Sequence, residues 1–231
     1  LDVNGTIKLD GNYPTGTDNV ALGQNALANV TTGQKNTAIG DDAMFANTEG
    51  NYNVAIGEGS IEDNTTGGFN VGIGRQALNS NTTASNNTGV GYFVLAANTT
   101  GANNAAFGFG ALDANTTASN NTAVGYASLS ANTTGAQNTA VGGNTLDANT
   151  TANNNTAVGY NSQTSNTTGF ANSSLGQGSL FSNTTGANNT AIGNGALDNN
   201  TTASHNTAVG ANALDANTTG TQNTAVGSLS L

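Results

Sequence analysis

The sequence predicts an all-β protein, a parallel β-solenoid of thirteen stacked laps. Three observations carry this. Thirteen glycines, from Gly23 through Gly40 and Gly57 to Gly227, stand 17 residues apart with no insertion or deletion. A fixed period of this size marks one small unit stacked on itself. Around each glycine the chain repeats Asn-Thr-Ala-Val-Gly-x-x-Ala-Leu-x-x-Asn-Thr-Thr-Gly, in which short β-branched runs lie between Asn and Gly turn signals. Helical solenoid repeats need about 33 residues or more, and Gly, Asn and Thr are poor helix-interior residues.

The first element is residues 1–18, which lie outside the repeat. Leu-Asp-Val-Asn-Gly-Thr-Ile-Lys-Leu alternates apolar residues around Asn4-Gly5, a β-hairpin signal, and Pro14 follows. This segment is expected to cap the open end of the solenoid or to join it to an upstream domain, since an open lap is an unpaired edge. The repeat domain then spans 19–231. Its chain stops at Leu231 in mid-lap, which suggests continuation or truncation.

Each lap is expected to hold two short strands and two tight turns. In Thr-Ala-Val, alternate side chains point to opposite faces. The Thr/Val row and the Val/Ile row, such as Thr37 and Ile39, therefore share one face, read here as the inside of the coil. The Ala row, such as Ala38, takes the other. That row never exceeds Ser in size, so something flat is expected to pack on it, either another lap face or another chain. A second apolar row follows four residues after the glycine, from Leu27 to Leu231, with Gln163 the single polar break. Asn stands four residues before every glycine, Asn19 to Asn223, and seven after nearly every one; stacked copies are expected to form hydrogen-bonded ladders. A weaker period of 34, in which Ala84, Gly101, Ala118 and Gly135 alternate, reads as duplication by pairs of laps.

Composition narrows the function. Net charge is −10, and Lys8, Lys35 and Arg75 are the entire basic set, which excludes nucleic-acid binding through phosphates. There is no cysteine and no apolar run long enough to insert in a membrane. No residue is singled out as catalytic, as a cofactor ligand or as a metal ligand, and the protein is expected not to be an enzyme. His205, the one histidine, occupies a variable turn position, and Asp41-Asp42 and Glu62-Asp63 read as surface charge. Asp113, Asp147, Asp198 and Asp215 share one offset and would line an edge, but they lack the density of Asp and Gly that calcium-binding repeats show. Ten Asn-Thr-Thr copies, Asn64 to Asn217, and Asn86, Asn120, Asn154 and Asn188 meet the N-glycosylation rule. The adjacent Thr-Thr pair points to opposite faces, which gives one Thr rank per edge where an ice-binding face needs two.

The string Asn53-Val54-Ala55-Ile56-Gly57-Glu58-Gly59-Ser60, with its copies over residues 19–231, resembles the head repeat of trimeric autotransporter adhesins of the YadA type. That resemblance implies a left-handed parallel β-roll, three chains side by side and an adhesive fibre, with the Ala row at a packed face such as the chain–chain interface. The lap is longer than the adhesin's. The Asn-Thr-Thr-Gly turn and the opening Val-Asn-Gly-Thr-Ile-Lys-Leu-Asp-Gly are more similar to bacteriophage tail fibre proteins. The expectation is a homotrimeric, rigid shaft of a virion tail fibre involved in host attachment, or another extracellular fibre, with a host receptor or glycan as partner. Its alternatives are a bacterial surface adhesin, a self-polymerising extracellular filament carrying glycans, and an ice-binding solenoid.

Overall fold

A computed structural model describes residues 17–231. The hairpin expected around Asn4-Gly5 lies outside them. Thirteen three-residue strands run from β1 (Val20–Leu22) and β2 (Thr37–Ile39) to β13 (Thr224–Val226). They form one sheet in strict sequence order, every pair parallel, with each residue opposite its counterpart 17 residues on: Val20 with Thr37, Ala21 with Ala38, Leu22 with Ile39. The result is a β-solenoid of about twelve turns, with no helix among the described residues. At about 4.8 Å per strand the rod is roughly 60 Å long.

Only one strand forms per lap. The second was expected around the Ala-Leu pair, but these residues lie in a six-residue turn, 41–46 in the second lap. Within that turn Asp42 has φ 55° and Met44 φ 52°, and every counterpart of Met44 from Leu27 to Leu214 lies between 50° and 55°. Residues with a Cβ resist this left-handed conformation, and each pays strain of about 1 kcal/mol or more. The conformation persists because the turn is bonded to both neighbours. Asp42 N–H donates to Gln24 O at 2.9 Å in the lap before, and Met44 N–H to Ser60 O at 3.0 Å in the lap after. Similar bonds continue around the perimeter, through Thr48 N–H to Thr65 O at 3.0 Å and Tyr52 N–H to Gln34 O at 3.1 Å.

The repeating glycine ends the strand with φ between 128° and 144°. A Cβ on any copy from Gly23 to Gly210 would meet the carbonyl oxygen of the next lap's glycine at 2.6 Å or less. Both the backbone angle and the stacking distance therefore require glycine.

The inside of the coil is the reverse of the face expected from sequence. The Ala row is fully enclosed, from Ala38 to Ala208, whereas the Thr/Val and Val/Ile rows face outward and are half-buried or exposed. The reason is width. Leu27, Met44, Ile61 and their successors to Leu197 cross the coil from the turn wall, all at 0% exposure, and leave room for little beyond a methyl group opposite. The exceptions follow this rule. A Cβ on Gly72 would come 2.7 Å from Ile61 Cγ1 and from Ser60 Oγ, and one on Gly89 3.1 Å from Val94 Cγ1. At these two laps the facing side chains leave no room for a methyl group, and the strand residue is glycine. The small row is a core constraint, which removes the reason for placing it at a chain interface.

Two buried asparagine ladders flank this core. Asn36 Nδ2 donates to Gly50 O at 2.8 Å and so closes its own lap, while Asn36 Oδ1 accepts Asn53 N–H at 2.9 Å from the next. In the other ladder Asn64 Nδ2 donates to Asn47 Oδ1 at 2.7 Å and to Gly67 O at 3.0 Å, a pattern unbroken to Asn217. The 34-residue alternation also has a structural basis. Ser85, Ser119 and Ser204 each accept, through Oγ, the backbone N–H of the preceding lap: Gly68 at 3.0 Å, Ala102 at 2.9 Å and Ala187 at 3.0 Å. Laps that donate thus alternate with laps that accept from Gly68 to Asn153, and the alternation slips once before Ala187.

Gln163 interrupts the leucine wall and creates a polar island. Its Nε2 donates to Ser174 Oγ at 2.7 Å and Thr156 O at 3.1 Å, and Ser162 Oγ lies 2.6 Å from Ser174 Oγ. Gln163 Oε1 is buried without a partner, and the apolar core divides there into two clusters. Replacing Gln163 with Leu is expected to stabilise the rod by about 1–3 kcal/mol, the penalty for an unsatisfied buried acceptor, as an upward shift in a denaturation midpoint. Ala140→Leu tests the facing itself. It overpacks the coil and is expected to destabilise by about 1–3 kcal/mol or more, while Val141→Thr, on the outward face, changes the stability of the isolated chain by less than about 0.5 kcal/mol.

Candidate functional site

Two surfaces are built by the stacking rule. The first is the outer face of the sheet. One rank holds the residue before each glycine, from Leu22 to Val226, all apolar; Leu22, Phe107 and Leu175 are 46%, 41% and 54% exposed. The parallel rank holds Thr in eight laps, Thr37 to Thr224, with Val20, Val54, Val71, Ala105 and Ser173 in the others. Neither rank contains a charge. The sequence assignment had turned this face inward and found no pair of parallel ranks on the surface; the structure places two there.

The second surface is the edge just after the glycine. Position +1 carries Arg75, Tyr92, Phe109, Tyr126, Gly143, Tyr160, Gln177 and Asn194 in successive laps. Because the laps are in register, the rings stack: Tyr92 on Phe109 at 5.5 Å between centroids, Phe109 on Tyr126 at 5.4 Å, with interplanar angles of 13° and 12°. Arg75 closes the upstream end. It pairs with Glu58 at 3.0 Å and donates from Nη1 to Tyr92 Oη at 3.0 Å. At the other end Gly143 interrupts the stack, leaving Tyr126 61% exposed and Tyr160 54% exposed. Sequence reasoning passed over this row by treating position +1 as variable. The signal was there, since Tyr92, Phe109, Tyr126 and Tyr160 share one offset from their glycines. A shorter stack stands on another edge, where Lys35 Nζ donates to Tyr52 Oη at 3.1 Å and Tyr52 stacks on Phe69 at 4.9 Å. That hydrogen bond holds the Lys35 ammonium above the usual lysine range.

Beyond Tyr160 the same edge opens into a depression of about 310 Å³ whose walls include Asn161, Gln177, Phe181, Asn194, Asp198 and Asn212. It exists because Gly178 and Gly195 carry no side chain at the corner.

The sequence-selected polar residues separate. His205 is exposed on its turn, with φ 63°. Asp42 accepts from Asn25 Nδ2 at 2.9 Å and Glu62 from Asn79 Nδ2 at 2.8 Å, each as a neighbour-lap contact. Among the described residues no three His, Cys, Asp or Glu converge as a metal site would require. Asp113 and Asp147 are two laps apart, and Asp215 is the lap neighbour of Asp198. The glycosylation sequons divide sharply. Asn64 and its stacked successors to Asn200 are fully buried and spend Nδ2 on the ladder, so that nitrogen is closed to an attached glycan in the folded chain. Asn86, Asn120, Asn154 and Asn188 are exposed.

No family model matches this chain, and neither a curated protein nor a solved structure does.

Burial raises the carboxyl pKa of Asp113, Asp147 and Asp198 above the usual aspartate value, with Asp215 adding repulsion at Asp198. Each therefore holds its proton more tightly folded than unfolded. The folded state gains stability as pH falls through the aspartate range and loses that gain as pH rises through the raised values. The melting temperature is expected to rise between pH 7 and pH 4, and the combined Asp113→Asn, Asp147→Asn and Asp198→Asn variant should flatten the rise. Thermal melts followed by circular dichroism across that range check both.

Proposed function

We propose that this chain is the shaft of an extracellular or virion fibre, assembled from three parallel copies that meet through the outward face of the sheet. One observation carries the reading: an uncharged rank of Ile, Val, Leu and Phe runs the length of the rod on a face where a one-sided sheet normally presents polar residues. With its Thr rank this stripe covers roughly 60 Å by 10 Å, about 600 Å², the upper end of what a monomer ordinarily leaves exposed as one patch. A partner that covers it lap for lap must repeat at the same strand spacing, which another copy of this chain does.

The three-fold arrangement and left-handed winding rest on the resemblance to trimeric adhesin heads. The tail-fibre assignment and its role in host attachment rest on the resemblance to phage fibre proteins. The work of such a shaft is mechanical: it holds a tip at a distance, and it adheres along its sides. A surface adhesin is the nearest alternative and uses the same rod.

Ice binding is a second reading with its own support, since the outward Thr rank and its apolar companion are two parallel ranks on one flat sheet. Phe107, Leu175 and Ala105 break their uniformity, and a flat ice lattice tolerates such steps less well than an adaptable protein partner does.

Light scattering of the purified chain tests the assembly. Three times the 22.7 kDa chain mass, roughly 68 kDa, is expected, falling to one chain when Val124, Val141 and Val158 are each replaced by Asp. A wild-type monomer overturns the trimer, and a monomer showing thermal hysteresis favours ice binding. Open-ended polymers point to a filament joined end to end.

A further inference from the structure

The stacking rule lapses at one junction, where separate departures coincide. With laps numbered by their glycines, the ninth (Gly159) carries Gln163 in the wall, where every other lap from Gly23 to Gly210 carries Leu, Met or Ile. The tenth (Gly176) carries Ser174 in the strand row that otherwise holds only Ala or Gly. The apolar core stops at Ala157 on one side and resumes at Leu180 on the other. Between them the two laps meet through polar groups: Gln163 Nε2 donates to Ser174 Oγ at 2.7 Å, and Ser162 Oγ lies 2.6 Å from Ser174 Oγ and 3.0 Å from Ser179 Oγ. A second set of ties skips the same junction. On the return segment a side-chain oxygen accepts a backbone N–H from the preceding lap between laps 1 and 2, 3 and 4, 5 and 6, and 7 and 8, through Asn51, Ser85, Ser119 and Asn153. The next in that order would join laps 9 and 10, but Ala187 stands there and has no such oxygen. The series resumes one lap late, with Ser204 between laps 10 and 11.

Backbone pairing does not single this junction out, since Thr156 N–H bonds to Asn172 O at 2.8 Å just as Thr139 N–H does to Asn155 O. The difference lies in what separation exposes. Parting two leucine-walled laps uncovers apolar side chains that water does not compensate. Parting laps 9 and 10 uncovers an amide and hydroxyls that water bonds at once, and it frees Gln163 Oε1 from burial without a partner. The shorter rod left behind then ends on Ser162 and Gln163, a polar surface of the kind that caps a solenoid. Rod stability is a sum of lap terms and nearest-neighbour interface terms, so the weakest interface sets where the rod divides. The departing part has a core of its own, in which Leu180, Leu197 and Leu214 pack with Ala191, Ala208 and Ala225 through laps 10 to 13.

We propose that the junction between the ninth and tenth laps is a built-in yielding point, at which laps 10 to 13 open as one cooperative unit while laps 1 to 9 stay folded. In a rod under load it fixes where the chain gives way first and leaves a capped, folded remainder. The inference goes beyond the shaft reading: a shaft would supply the load, but the yielding point belongs to the single chain and is measurable in any oligomeric state.

The test is hydrogen–deuterium exchange of the full chain, read by mass spectrometry through a urea series below the global unfolding midpoint. Amides of laps 10 to 12 are expected to lose protection together and to exchange about tenfold or more faster than those of laps 2 to 8, with the boundary between Gln163 and Leu180. Gln163→Leu combined with Ser174→Ala restores the repeat and should remove that boundary. In the repaired chain, Leu129→Gln with Ala140→Ser writes the same break two laps upstream, where Ser128 and Thr145 already match Ser162 and Ser179. The boundary should then move to between Leu129 and Leu146. The wild-type and repaired chains decide the question even where the relocated break prevents folding. A single step across laps 2 to 12 overturns the proposal, as does protection lost lap by lap inward from Leu231 or a boundary that survives the repair. These outcomes are separable from the fate of the fibre. A trimer that opens in one step loses only the yielding point, and a monomer that opens at Gln163 keeps it while the shaft reading fails.

Discussion

Every feature of the rod follows from one constraint, that each lap bonds to the next in the same register around its whole perimeter. Strand pairing alone would tie together three residues per lap. The turn adds its own interlap bonds at Asp42 and Met44, and the return segment adds others at Thr48 and Tyr52. Like residues must therefore stack at the strand spacing. A side chain is then judged less by its own preferences than by whether thirteen copies can be piled on one another. Glycine at the end of each strand meets that condition because the next lap's carbonyl occupies the position a Cβ would take.

The same constraint lets asparagine serve in the core. A single buried amide leaves donors and acceptors to satisfy, but a stack of them satisfies each member with the one above or below. Asn36, for example, bonds both to the end of its own lap and to the start of the next. In a low-dielectric interior such a network is strong when complete and costly when broken. That favours an unbroken 17-residue register, since one inserted residue would strand amides on both sides. The strained left-handed residues opposite the strand fit this account, because the perimeter bonds hold them there. Gln163 shows the reverse case, where one polar residue in the leucine wall, without a stack of its kind, leaves an oxygen unpaired.

Stacking also turns modest surface choices into extended surfaces. An apolar residue before each glycine becomes a stripe the length of the rod, and four aromatic residues at one offset become a track with a defined end. Neither arises from a loop, the usual carrier of function on a rigid scaffold. On this rod a surface is written once per lap and varied along the axis, so a single departure such as Gly143 interrupts the ring stack.

Much of the architecture was legible in the sequence. The glycine period set the repeat, the Asn rows announced their ladders, and the uniform spacing implied parallel, in-register strands, because these are local patterns repeated in nearly every lap. Three features were not legible. Which face of Thr-Ala-Val lies inside depended on the width of the coil, which the leucines of the opposite wall decide; the usual expectation that β-branched residues fill the core fails where there is space only for a methyl group. The missing second strand depended on Leu and Met accepting a left-handed backbone, against their intrinsic preference, under tertiary hydrogen bonding. The exposure of the aromatic row, though not its shared offset, and the buried state of the Asn-Thr-Thr sequons depended on where a lap position points, which the period alone leaves open. Sequence determined that the laps stack and in what register; the tertiary structure decided which side of each lap is core, because that is a matter of the volume between two walls whose residues are far apart along the lap.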